Sequence, residues 1–174
     1  MPLPLTVEKH IIEFFKGNRD RHLNDRLHPM LRHHIRNGDV DTEGELEHIL
    51  WMMIFNWMRQ LDEDKYYFDY NPWKIKSQLY NKKFKQYPDL ILRYGDIDRV
   101  NIELKQYNGK DINEDDLIED VEKNRARCQV DEQLHSILLF TSTVPEEEAN
   151  RIVALLHAKV GSEREHIINI NNAQ

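Results

Sequence analysis

Asp89, Glu103 and Lys105 are the residues whose types and spacing could carry chemistry. They lie in one stretch, YPDLILRYGDIDRVNIELK, at residues 87–105. Alternation from Asp89 puts Ile91 and Arg93 on its face and Leu90, Leu92 and Tyr94 on the other. In the second run Arg99, Asn101, Glu103 and Lys105 share a face, against Val100, Ile102 and Leu104. A hairpin built from these runs has one core side and one largely polar side. Tyr94-Gly95-Asp96-Ile97-Asp98 supplies the glycine and aspartate of a tight connection. A turn centred near Asp96 sets Asp89 opposite Glu103. Opposed cross-strand residues have Cβ atoms about 5 Å apart, and like charges there repel. Two carboxylates tolerate that arrangement best with a divalent cation between them. Lys105, two residues on and on the same face, is within reach of a water on that cation. The competing reading is a surface hairpin with scattered charges.

Pro88-Asp89 followed by Glu103-Leu104-Lys105 resembles the PD-(D/E)xK nuclease superfamily, which includes restriction-endonuclease-like enzymes and Holliday-junction resolvases. The resemblance implies that Asp89 and Glu103 hold one or two Mg²⁺ ions, with Mn²⁺ as a substitute. It implies the Leu104 backbone carbonyl as a further metal ligand, and Lys105 as the group that positions or activates the attacking water. Members of the superfamily often carry a glutamate on the helix before the first core strand. Glu43, Glu45 and Glu47 are the choices here. Glu45 has a competing role as a capping partner. Glu43 and Glu47, four apart, share a helix face; Glu43 is preferred and Glu47 is next. An acidic helix start stabilised by the dipole explains any one of them equally well. The helix after the motif often adds a polar residue, and Asp120 and Lys123 are the candidates. A solvent-facing ion pair worth little is the favoured reading for Asp120. For Lys123 that ion pair and a nucleic-acid contact stand about even.

Several elements must position these residues. Thr6 can cap a first helix with Val7, Ile11, Phe14 and Phe15 on one face and Gly17 as its stop. Leu23, Leu27, Leu31 and Ile35 continue at helical spacing over residues 20–37, with Pro29 interrupting or kinking them. Thr42 and Glu45 form a capping-box pattern. The apolar stripe from Leu46 to Leu61 predicts a long helix ending near Gln60–Leu61. Residues 66–70 read as a strand. After the hairpin, Leu117, Ile118, Val121 and Cys128 mark an amphipathic helix. Residues 136–141 read as a strand covered on both faces. A helix opening at Glu146 follows, with Ala149, Ile152, Val153, Leu155 and Leu156 inward, and residues 166–170 close the chain as a strand. The expected fold is α/β, a mixed β-sheet flanked by helices. The resemblance makes it restriction-endonuclease-like, with an αβββαβ core at about residues 42–156 and an N-terminal helical extension at 1–38.

The chain's 174 residues suit one domain. No apolar run reaches the roughly 20 residues of a membrane span. The Met1-Pro-Leu-Pro start lacks the charged and apolar regions of a signal peptide, so cytoplasmic residence is the default. One cysteine excludes an internal disulfide and a cysteine-based zinc site. The nine histidines include no H-E-x-x-H pattern. A net charge of −7 argues against a nonspecific nucleic-acid coat. Yet residues 74–85 carry Lys74, Lys76, Lys82, Lys83 and Lys85 without an acid. They could contact a phosphate backbone, or equally protect a sheet edge. The expectation is a Mg²⁺-dependent nuclease, endo- or exonucleolytic, hydrolysing phosphodiester bonds, more readily in DNA, with a homodimer if both strands are cut. The rival is an inactive nuclease-fold subunit used for binding or assembly in a repair or defence complex. A third reading is an unrelated α/β interaction domain.

Overall fold

Thr42 and Glu45 form the capping box that their spacing predicts. The Glu45 N–H donates to Thr42 Oγ1 at 3.2 Å, and the Thr42 N–H donates to Glu45 Oε2 at 2.9 Å. These bonds satisfy donors that a helix start otherwise leaves open. The structure is a computed structural model that describes residues 12–16, 27–63, 73–77 and 88–172. Residues 12–16 form the helical piece α1, followed by α2 (Leu27–Arg36) and α3 (Glu43–Glu63). In α2, Leu27, Leu31 and Ile35 are buried, one per turn. Pro29 falls in its first turn, where a missing N–H costs no helical bond, so it does not interrupt the helix. The helix start at Thr6, residues 20–26 and the strand expected at 66–70 lie outside the described residues.

Five strands follow: β1 (Trp73–Ser77), β2 (Leu90–Tyr94), β3 (Ile97–Tyr107), β4 (His135–Ser142) and β5 (Glu165–Asn171). They form one sheet in sequence order. The pairs β1–β2 and β2–β3 are antiparallel, and β3–β4 and β4–β5 are parallel. Parallel neighbours need a crossover. Here α4 (Glu114–Val130) joins β3 to β4, and α5 (Glu146–His157) joins β4 to β5. The architecture is thus α/β, a five-stranded mixed sheet flanked by helices. β1 is an edge strand, and the lysine-rich stretch begins within it.

The two faces of the sheet are buried differently. Leu90, Leu92, Ile102, Leu104, Ile137 and Leu139 pack with Phe15, Leu31, Leu46 and Leu50 of the first three helices. On the other face Tyr107, Leu138 and Phe140 pack with Leu117 and Val121 of α4 and Ile152 and Leu156 of α5. β4 therefore contributes to both cores, as its unbroken apolar centre predicts. Each large apolar side chain so buried contributes about 1.5–3 kcal/mol before entropy is counted. In α5 the inward face is Ala149, Ile152 and Leu156, while Val153 and Leu155 are only partly buried, since the stripe is narrower than their hydrophobicity suggests. Among the described residues no helix is long and apolar enough to cross a membrane.

Candidate active site

The β2–β3 hairpin turns on Gly95 and Asp96 alone, because Tyr94 pairs with Ile97. Gly95 has φ +61°, which a side chain there would resist. Arg93 clamps the turn: Nε donates to Asp98 Oδ1 at 2.6 Å and Nη2 to the Asp96 carbonyl at 2.9 Å. This turn sits half a residue earlier than a centre at Asp96. Carried through unchanged, its register would set Asp89 against Ile102. A β-bulge corrects it. Arg93 pairs with Asp98 but Leu92 pairs with Val100, so Arg99 is the extra residue. Beyond the bulge Leu90 lies opposite Ile102, and one step further Asp89 is level with Glu103. The expected opposition holds, by a different route.

Asp89 accepts a hydrogen bond from the Leu104 N–H at 2.7 Å. Burial pushes its carboxyl up to about 7. The Leu104 bond works against that shift, and the charges of Glu103, Glu47 and Glu43 add to it. Glu103 is also raised, first by burial, then by Asp120, with Arg127 and Lys123 opposing. Burial, more than the neighbouring acids, thus sets the Asp89 carboxyl, and the Leu104 bond offsets only part of it.

Lys105 lies 3.6 Å from Asp120 Oδ2 and 3.8 Å from Glu43 Oε1. Burial acts to lower its pKa, but Asp120, Glu43, Asp89 and Asp116 outweigh burial and hold it above the usual ammonium value. It is a fixed cation and not a base at neutral pH. Asp120 is 6% exposed, so it is no solvent-facing ion-pair member. It is shared between Lys105 and Lys123, whose Nζ stands 3.2 Å away. Lys123 also bridges to Glu119 at 2.8 Å. Glu43 reaches Lys105, while Glu47 raises Asp89 more than Glu43 does. Both glutamates of α3 are therefore near the hairpin acids. Glu45 stays at the capping box.

Two residues of α4 escaped the sequence reading. Arg127, 3% exposed, donates from Nη1 to Glu103 Oε1 and at 3.1 Å to Asn124 Oδ1. The signal was present. Asn124 follows Leu117 and Val121 at inward helical spacing, so a polar residue stands where an apolar one is expected. Asn101 is a second surprise on the same sheet face as Glu103: it is fully buried, and neither polar atom of its amide has a partner.

The lysines of residues 74–85 divide. Lys74 and Lys76 are exposed on β1, opposite Arg93 and Ile91, on the face that carries Glu103. Lys82, Lys83 and Lys85 lie outside the described residues.

No group of three His, Cys, Asp or Glu side chains able to hold a metal ion occurs among the described residues. Two carboxylates, a backbone carbonyl and water are nonetheless the oxygen donors that Mg²⁺ takes, since it binds through one or two carboxylates and keeps several waters. Asp89, Glu103 and Leu104 provide such a set, and a divalent cation between the acids would favour the ionised Asp89 that burial disfavours. Arg127 occupies one Glu103 oxygen. Compared with known proteins, the chain matches no family model, no curated protein and no solved structure.

Proposed function

We propose that the chain is a metal-dependent nuclease of the restriction-endonuclease-like type, hydrolysing phosphodiester bonds with a preference for DNA. The observation that carries this reading is the convergence of three residues on one end of the hairpin. Asp89 is tied to the Leu104 N–H, level with Glu103, and Lys105 is two residues further on the same face. The element order α3-β1-β2-β3-α4-β4, with an antiparallel hairpin leading into a parallel crossover, agrees with the core expected from the resemblance.

Asp89 and Glu103, with the Leu104 carbonyl, would hold the ion, and Glu43 or Glu47 would complete its surroundings. When bound there, Mg²⁺ supplies Lewis acidity toward the phosphodiester and the attacking water. The remaining work falls to the chain's own groups. The Leu104 N–H keeps the Asp89 carboxylate in one orientation. Lys105, kept protonated by Asp120 and Glu43, orients the water and stabilises charge on the phosphorane-like transition state. Asp120 fixes the lysine's position, and Lys123 balances Asp120.

One observation favours the inactive-subunit alternative. A side-chain cation, Arg127, already pairs with Glu103. The two readings separate in an activity screen over single-stranded, duplex and branched DNA and RNA with Mg²⁺ and Mn²⁺. Cleavage that vanishes in Asp89→Asn supports the nuclease. Retained nucleic-acid binding with no cleavage on any substrate supports the subunit.

A further inference from the structure

Arg32 and Arg36 are held differently from the arginines that pair with acids or are tied up at their terminal nitrogens. Arg93, Arg127 and Arg151 pair with carboxylates of Asp98, Glu103 and Glu114. Arg164 donates to the backbone carbonyls of Cys128, Asp131 and Leu134. Arg32 and Arg36 are exposed, and each donates through Nε alone to a neutral acceptor. Arg32 reaches the Asn171 carbonyl at 3.2 Å, and Arg36 reaches Oδ1 of the buried Asn172 at 2.9 Å. Their terminal Nη nitrogens have no partner among the described residues. Each guanidinium is therefore anchored at its stem, with no described residue on its outer edge and no described carboxylate paired with its charge. That edge is the part that binds phosphate oxygens in pairs.

The two arginines are four apart on α2, so they stack on one helix face about 6 Å apart along the axis. The helix carries no acid in LHPMLRHHIR, within a chain of net charge −7. Arg36 lines a cleft of about 510 Å³ with Asp41, Asn108, Gly109 and Thr143. Arg32 lines one of about 410 Å³ with Glu146, Asn150 and Asn169. Each cleft thus contains a carboxylate, but neither Asp41 nor Glu146 is ion-paired with its arginine. Both clefts lie at the carboxyl ends of parallel strands, since Asn108 follows β3, Thr143 follows β4 and Asn171 ends β5. Open α/β sheets bind ligands at that end. Lys105 is there too, two residues before β3 finishes, and Asp41 precedes by two residues the glutamate that reaches it.

The geometry points to a phosphate-binding ledge on α2, on which Arg36 and Arg32 hold successive phosphates of the nucleic-acid strand whose neighbouring phosphodiester lies at Lys105. The identity of the polyanion rests on the nuclease reading; the ledge itself rests on the two arginines. The step between the arginines is comparable with the step between consecutive phosphates of a strand.

The test uses the full chain carrying Lys105→Ala, a labelled single-stranded DNA oligonucleotide, EDTA and fluorescence anisotropy across a salt series. Adding Arg32→Gln and Arg36→Gln together should weaken binding about tenfold. It should also reduce the log–log salt slope by about 1.4, at roughly 0.7 per phosphate contact on a single strand. Arg32→Lys with Arg36→Lys should retain most of the slope, because the charge remains. If the double glutamine variant melts too early, Arg32→Gln alone, bonded only to a carbonyl, should remove about half of the slope change. Unchanged affinity and slope in a folded glutamine variant overturn the ledge. Cleavage by the unmodified chain with Mg²⁺ is read separately: cleavage without a slope change leaves the nuclease standing and the ledge refuted. A slope change without cleavage does the reverse.

Discussion

Arg127 donates a hydrogen bond to Glu103 across the buried space between α4 and β3, so the acid expected to bind a cation is already held by one. Removing one partner of a buried ion pair leaves the other uncompensated. Arg127→Met should therefore destabilise the metal-free fold by about 3 kcal/mol, the lower part of the range for such breaks. If the ion and the guanidinium share Glu103, Mg²⁺ should restore more stability to this variant than to the parent. Thermal melts with and without Mg²⁺ measure both effects. Equal metal-induced shifts in the two proteins would count against a shared Glu103.

Asp89 and Glu103 should respond to charge removal in a way that ordinary surface acids do not. Asp89→Asn or Glu103→Gln should weaken Mn²⁺ binding by at least tenfold in calorimetry and abolish cleavage. Unchanged metal affinity in both variants sinks the site.

The raised Asp89 carboxyl predicts a pH dependence of the metal-free protein. A carboxyl at about 7 in the fold, against an ordinary value of 3.8, binds its proton more tightly when folded. Its contribution is fully present below pH 3.8 and is lost as pH rises toward 7. Between these limits Asp89→Asn should flatten the decline in stability that this group causes. Denaturant titrations at pH 5 and pH 7.5, compared between parent and variant, supply the check; parallel curves would contradict the assignment.

Lys105→Ala should remove cleavage while preserving part of the metal affinity, because an ammonium is not a ligand. Lys105→Arg should rescue poorly, since a planar guanidinium does not replace a compact charge between Asp120 and Glu43. Full turnover in the alanine variant would be incompatible with the proposed mechanism.

Lys74 and Lys76 offer a test of edge protection against phosphate contact. Both are exposed on the edge strand β1. Replacing them with Gln should lower the salt slope by roughly two units on duplex DNA if they contact phosphates. Aggregation on unchanged affinity, followed by light scattering, would assign them to the edge alone.

Much of this fold is written in hydrophobic period. The capping box at Thr42, the two-sided core strand β4 and the helix around Leu117 follow from patterns local to each element. The hairpin faces were legible for the same reason. The bulge at Arg99 was not, because alternation shows which residues share a face but not where a ladder slips. Arg127 was missed because its meaning depends on Glu103, which is remote in sequence and close only after α4 crosses the sheet. Asp120 was misjudged on the same account: its i, i+3 lysine suggested a surface pair, while its burial comes from packing against β3. The Arg32–Arg36 pair depends on Asn171 and Asn172 at the far end of the chain, a relationship no local period encodes.

The bulge at Arg99 also makes the hairpin intolerant of changes in length. Deleting Arg99, or adding one residue to the Gly95-Asp96 turn, keeps every functional residue in the chain. Either change moves the pairing by one position, and a one-position slip turns a strand's side chains to the opposite face. Drift in this segment would therefore be free to exchange residue types at Tyr94 or Ile97 while being barred from single insertions and deletions. The gap length between Asp89 and Glu103 becomes a constraint as firm as the two acids themselves.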